Sequence, residues 1–202
     1  MSDPLSRAVV MDRDGTICDE VGYVNHVSRI RLLPRSAAAI RLAREAGFKT
    51  VVMTNQAGVA RGYFAEELIE RTHERMREML AAEGAAVDAI YYCPHHPEAG
   101  EPPYRKDCDC RKPRPGMLLR ARDELGIDLA RSYVIGDSPR DVEAGRAAGA
   151  VTILVLTGYG RGEYEHRSSG WRTQPDQIVE DLMDAVEWIL AREKTAAVGG
   201  RP

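Results

Sequence analysis

Five short, almost unbroken apolar runs recur along the chain, at Arg7–Met11, Lys49–Met53, Val87–Tyr92, Tyr133–Ile135 and Val151–Leu156. Helical patterns separate them. Apolar residues fall at Ala38, Ile40, Leu42 and Ala43 after Pro34-Arg35-Ser36, with Gly47 as a stop. A second set, Leu68, Ile69, Thr72, Met76, Met79 and Leu80, runs through 65–83. A third is Met117, Leu118, Ala121 and Leu125, and further helices are predicted over 140–148 and 178–192. A strand exposed on one face alternates polar and apolar residues; a strand covered on both faces does not. Unbroken runs alternating with amphipathic helices therefore predict a three-layer α/β fold around a central parallel sheet. One domain is expected over 1–193, with a tail over 194–202. The stretches 16–33 and 158–174 read as loops.

The polar residues sit where such a sheet binds ligands. Asp12 and Asp14 follow the first run, Thr54 and Asn55 the second and Asp137 the fourth. All lie at carboxyl ends of parallel strands. Asp12-Arg13-Asp14-Gly15-Thr16 is the most informative of these. A bare D-x-D is commonly a solvated turn or a helix cap. After an apolar strand, two carboxylates pointing the same way repel each other and call for a cation. Asp12, Asp137 and the backbone carbonyl of Asp14 are oxygen donors suited to Mg²⁺. Such a site fits phosphoryl transfer, in which an attacking carboxylate must approach a phosphate dianion. Asp12 is placed as nucleophile, Asp14 as acid and then base, and Thr54 and Lys112 as partners of the phosphate. Asp141 is equally suited to capping a helix, orienting a neighbour or touching the ion.

A second constellation is Cys93-Pro94-His95-His96 with Cys108-Asp109-Cys110. Two such pairs a dozen residues apart offer four donors for tetrahedral Zn²⁺, with no open position, so a structural site is expected. His95 has the C-x-H spacing and His96 is the alternative. The loop it pins leads directly into Arg111 and Lys112. Cys18 stands alone as a core or loop residue. His26, His73 and His166 have no partner by spacing and are placed on the surface. Gly158-Tyr159-Gly160-Arg161-Gly162 lacks the spacing of a dinucleotide loop and opens no predicted helix.

With 44% hydrophobic residues among 202, the chain can build a core, and its net charge of -3 comes with no basic tract for nucleic acid. The N-terminus shows no secretory pattern, and no run is long enough to span a bilayer. A cytoplasmic monomer acting on a small molecule is the expectation, with neither nucleic acid nor membrane as partner.

These motifs together resemble the D-glycero-D-manno-heptose 1,7-bisphosphate 7-phosphatase family of the haloacid dehalogenase superfamily, and the related histidinol-phosphate phosphatases. The matching pieces are DRDGT at Asp12, GYV at Gly22, TNQAGVARG at Thr54, YYCPHHP at Tyr91, CDCRKPRPGM at Cys108 and GDSPRD at Gly136. The cysteine-rich pair points to this subgroup; DRDGT and GD speak only for the superfamily. One departure is Ser138, where a lysine is often found. The resemblance implies a haloacid dehalogenase fold without a large cap, and removal of the 7-phosphate in nucleotide-activated heptose biosynthesis. Asp12 would be nucleophile, Asp14 acid/base, Thr54 and Lys112 phosphate stabilisers, Asp12, Asp14 and Asp137 the Mg²⁺ ligands, and Cys93, His95, Cys108 and Cys110 the Zn²⁺ ligands. It places Arg13, Glu20, Val21, Gly22, Tyr23, Asn55, Gln56, Ala57 and Arg111 against the sugar bisphosphate. Histidinol phosphate or a broader range of phosphomonoesters is the alternative substrate.

Overall fold

The computed structural model describes residues 5–199. Six parallel strands form its sheet: β1 (Ala8–Met11), β2 (Lys49–Asn55), β3 (Ala89–Cys93), β4 (Tyr133–Gly136), β5 (Val151–Val155) and β6 (Gln177–Val179), in the order β3-β2-β1-β4-β5-β6. The helices are α1 (Ser36–Glu45), α2 (Glu67–Ala82), α3 (Gly116–Leu125), α4 (Pro139–Ala147), α5 (Gly160–Arg167) and α6 (Leu182–Gly199). Val9 and Met11 face one core with residues of α1, α2 and α6, while Ala8 and Val10 face the other with residues of α3 and α4. Alternate residues of β1 thus serve opposite layers, which is why the strand reads as one apolar run. Strands β2 and β3 extend to one side of β1, and β4 to β6 to the other. The order reverses between β1 and β4, which opens a crevice beyond their carboxyl ends.

Two connections rise over that end. Residues 12–35 contain only a short 3₁₀ turn at Val27–Arg29, and 94–115 form the cysteine-rich loop, so no separate cap domain is present among the described residues. No helix among them is long and apolar enough to cross a membrane.

The predicted elements shift mostly by a residue or two at their ends, but the last third of the chain differs. The stretch from 158 to 174 contains α5 and a 3₁₀ turn at Ser168–Gly170. Ile178 lies in β6, paired with Leu154, rather than in the last helix. Asp181 stops the strand, and its carboxylate accepts from the Asp184 N–H at 3.0 Å, where α6 begins. The helix then continues to Gly199 through the predicted tail; 200–202 lie outside the described residues.

His73 is the other correction. It is buried on α2, its ring 5.7 Å from that of Tyr92, and its Nε2 has no hydrogen-bond partner. Burial, aided by Arg13 and Arg77, pushes its pKa down to about 3. The unfolded chain binds this proton near 6.5, whereas the folded chain resists it until about 3. Stability should therefore be complete above pH 6.5 and fall by about 1.4 kcal/mol per unit below it. His73→Leu should flatten the fall measured by urea melts at pH 7 and pH 5. An unaltered slope would assign the acid sensitivity elsewhere.

Candidate active site

Asp12 is the first residue beyond β1, and its N–H donates to the Ile135 carbonyl of β4 at 2.9 Å. The sheet ladder thus fixes its backbone at the reversal point. Asp137 is the first residue beyond β4, and Asp141 lies in the first turn of α4. Carboxylate oxygens of Asp12, Asp137 and Asp141 lie within 4.8 Å of one another. Glycines bring the backbone onto Asp137. At Gly15 a Cβ would stand 2.0 Å from the Asp137 Oδ2 and at Gly158 2.1 Å, and both have positive φ. Any side chain there would both strain the backbone and fill the carboxylate's place.

One cation stands among these acids. Lys112 Nζ is 2.9 Å from Asp12 Oδ2 and 2.6 Å from Asp141 Oδ1, and it donates to the Met53 carbonyl at 3.2 Å. Burial works against its charge, but the two carboxylates outweigh burial and raise its pKa. The acids remain under-compensated. Burial pushes Asp12 up to about 7 against the pull of Lys112, and burial with Asp12 and Asp141 pushes Asp137 up to about 8. Three converging oxygen donors facing a single lysine fit a small divalent cation such as Mg²⁺.

Asp14 is held differently. Arg13 grips its carboxylate with two donors, Nε to Oδ1 at 3.0 Å and Nη2 to Oδ2 at 2.8 Å. Gln56 Nε2 donates to Oδ2 at 2.8 Å and also to Thr54 Oγ1 at 2.9 Å. The Asp14 carboxylate is therefore engaged outside the three-acid cluster, leaving its backbone carbonyl as the ligand that the sequence offers. Asn55 clamps the Lys112 backbone, accepting from its N–H and donating to its carbonyl, each at 3.1 Å.

Of the residues expected at the site, Asp12, Asp14, Glu20, Gly22, Tyr23, Thr54, Asn55, Gln56, Ala57, Arg111, Lys112 and Asp137 line one cleft. Arg13 and Val21 do not. Arg13 is 1% exposed, committed to Asp14 and to Thr72 Oγ1, so it lies beneath the cleft and supports Asp14. Val21 packs toward the core while its carbonyl accepts from Arg29. Tyr23 stands at the rim with its ring edge-on to Tyr63, centroids 4.7 Å apart.

Ser138, Arg140, Asp141 and Tyr159 also line the cleft. Asp141 does two of the jobs open to it: its Oδ2 accepts from the Ser138 N–H in a capping box that starts α4, and its Oδ1 meets Lys112. Tyr159 comes from the glycine-rich stretch, which does open a helix, α5. Its N–H donates to Asp137 Oδ2 at 2.8 Å. The signal was present in Gly158 and Gly160, whose missing side chains permit this approach; a Cβ on Gly160 would meet the Val155 carbonyl at 1.8 Å.

The zinc candidates also converge. Cys93 Sγ lies 3.5 Å from Cys108 Sγ and 3.7 Å from His95 Nδ1; Cys110 Sγ lies 3.3 Å from Cys108 Sγ and 3.4 Å from His95 Nδ1. Tetrahedral zinc with ordinary Zn–S and Zn–N bonds needs ligand atoms about 3.3–3.8 Å apart. Bonding from Cys93, then from Cys108 and His95, pushes the Cys110 thiol down to about 5, toward the thiolate that a metal requires. His96 is excluded as a ligand by its other contacts. Its Nδ1 accepts from the Glu98 and Ala99 N–H groups, and its Nε2 faces Arg61 at 3.0 Å. Arg111 Nη1 returns to the His95 carbonyl at 3.2 Å, tying the loop to the cleft.

Known proteins resemble the chain over nearly its whole length. A family model described as HAD-hydrolase-like matches residues 109–185. The D-glycero-beta-D-manno-heptose-1,7-bisphosphate 7-phosphatase of Escherichia coli (strain K12) is 40% identical over 190 residues, covering 94% of this chain and 96% of the relative. The corresponding D-glycero-D-manno-heptose-1,7-bisphosphate 7-phosphatase of Thermosynechococcus vestitus is 42% identical, covering 90% and 94%. Among solved structures, a D,D-heptose 1,7-bisphosphate phosphatase from B. bronchiseptica, crystallised with magnesium and phosphate, superposes with a TM-score of 0.82. It is 34% identical and the match covers 92% of this chain and 99% of that one.

Proposed function

The chain belongs to the D-glycero-D-manno-heptose 1,7-bisphosphate 7-phosphatase family, and on that premise we propose that it hydrolyses the 7-phosphate of a D-glycero-D-manno-heptose 1,7-bisphosphate. The observation that carries the reading is the cleft at the β1–β4 reversal. There Asp12 faces Asp137, Asp141 and Lys112, with Asp14 beside it under separate control.

Asp12, Asp137 and the Asp14 carbonyl, with Asp141 beside them, are the groups that would hold Mg²⁺. When bound, the ion supplies charge screening between the carboxylates and the phosphate. Lys112 and the Thr54 hydroxyl steady the phosphate oxygens. An Asp12 oxygen attacks phosphorus, and the bond from phosphorus to the C7 oxygen breaks. Asp14 gives its proton to that departing oxygen. It then takes a proton from water, whose oxygen attacks phosphorus, and the bond to Asp12 breaks to release inorganic phosphate. Arg13 and Gln56 donate three hydrogen bonds to Asp14 and so fix its carboxylate beside Asp12 for both proton transfers. The Zn²⁺ site is structural in this reading, and Arg111 holds the distal phosphate, whose binding energy helps place the reacting one.

The test is a panel of kcat/KM values for both anomers of the heptose bisphosphate, histidinol phosphate and a generic aryl phosphate. One heptose bisphosphate anomer should lead by about a hundredfold or more. Equal or better hydrolysis of histidinol phosphate, or no preference among the esters, would reject the assignment.

A further inference from the structure

We infer that Arg140 is a second guanidinium of the distal-phosphate site, acting with Arg111 on the anionic group that is not hydrolysed. The inference deepens the reading of the cleft just given and rests on it.

Among the described residues, the cations lining the cleft are Arg111, Lys112 and Arg140. Lys112 is held at the reacting centre by Asp12, Asp141 and the Met53 carbonyl and is assigned to the phosphate that is hydrolysed. The two arginines are not. Five carboxylates line the same cleft, yet neither arginine forms an ion pair with any of them. Arg111 donates only to the His95 carbonyl, and the Arg140 side chain only to Ser138 Oγ, at 3.3 Å from Nε. Each keeps donors free for a planar, bidentate contact with an oxyanion.

Their placement separates them from the reacting centre. Arg140 and Asp141 are consecutive in the first turn of α4. Asp141 turns inward to Lys112, while Arg140 remains exposed at the rim, its Nε anchored to the cap residue. Arg111 comes from the other side, at the end of the zinc loop. Both guanidinium groups belong to residues on the wall of the same cleft. The cleft carboxylates are taken by other partners, so two unpaired guanidinium groups lining one cleft are relieved by a bound anion. Ser138, short and neutral beside Asp137, leaves that edge of the cleft to Arg140.

The experiment compares kcat/KM for the heptose 1,7-bisphosphate with that for the 7-monophosphate, in wild type, Arg140→Ala and Arg140→Lys. Arg140→Ala should lower the bisphosphate-to-monophosphate ratio about tenfold or more, chiefly through KM for the bisphosphate. Arg140→Lys should keep part of the preference, because the charge remains while the bidentate geometry is lost. A strong wild-type preference that Arg140→Ala leaves intact would overturn the role of Arg140 alone. A parallel loss on both substrates would also overturn it, since that marks a general effect on the cleft. A wild-type ratio near one would overturn the distal site itself, and with it the bisphosphate reading.

Discussion

Asp12→Asn should abolish phosphate release, lowering kcat by about four orders of magnitude or more, while the chain remains folded. The amide keeps the shape of the carboxylate but cannot form the covalent bond to phosphorus. The fold has little to lose. Asp12 is already disfavoured as an anion by burial and by Asp141 and Asp14. Removing its charge relieves repulsion in a cluster where three acids share one lysine, and Asp141 still holds Lys112 at 2.6 Å. Melting without added metal should therefore stay within a few degrees of wild type. Stopped turnover with normal melting separates a lost nucleophile from a lost structure. Undiminished release by a folded Asp12→Asn chain would move the chemistry to another group.

That the reaction centre was legible in the sequence follows from how parallel sheets are built. A residue at or just beyond the carboxyl end of a strand inherits its position from the ladder, so Asp12, Thr54 and Asp137 could be placed from the apolar runs before them. The cysteine pairs were legible for a similar reason, since short spacing within each pair confines the donors. Residues serving two purposes were harder. Asp141 caps α4 and pairs with Lys112, and either use alone explains a carboxylate there. Arg13 lay inside the motif and suggested a contact with substrate, but Thr72 and Asp14 draw it under the cleft. His73 carried a usable signal. It falls with Ile69, Thr72, Met76 and Leu80 on the buried stripe of α2, and its polarity outweighed a periodicity that pointed inward. Helix α5 and strand β6 are too short for period to decide. Ile178 also fits one turn before Leu182, so a three-residue strand was absorbed into the helix that follows.

Removing the zinc site should have the second large effect, and it should divide binding from catalysis. We expect close to one Zn²⁺ per chain by elemental analysis, and none with Cys110→Ser. If free zinc stands at a thousand times its dissociation constant, its loss removes about 4 kcal/mol. For a chain of this size that is a fall of about 8–16 °C in melting temperature. The loop's two functional residues should then respond differently. Arg111 is tied to the loop, through the His95 carbonyl and through Cys110 beside it. Lys112 has an anchor that does not involve zinc, because Asn55 on β2 bonds both its N–H and its carbonyl. A zinc-selective chelator that spares Mg²⁺ should accordingly raise KM for the bisphosphate more than it lowers kcat. A protein prepared without zinc that melts unchanged would show that the four residues are not a structural metal site. A kcat that falls as far as KM rises would show that the Asn55 clamp is insufficient, and that zinc positions the catalytic lysine as well.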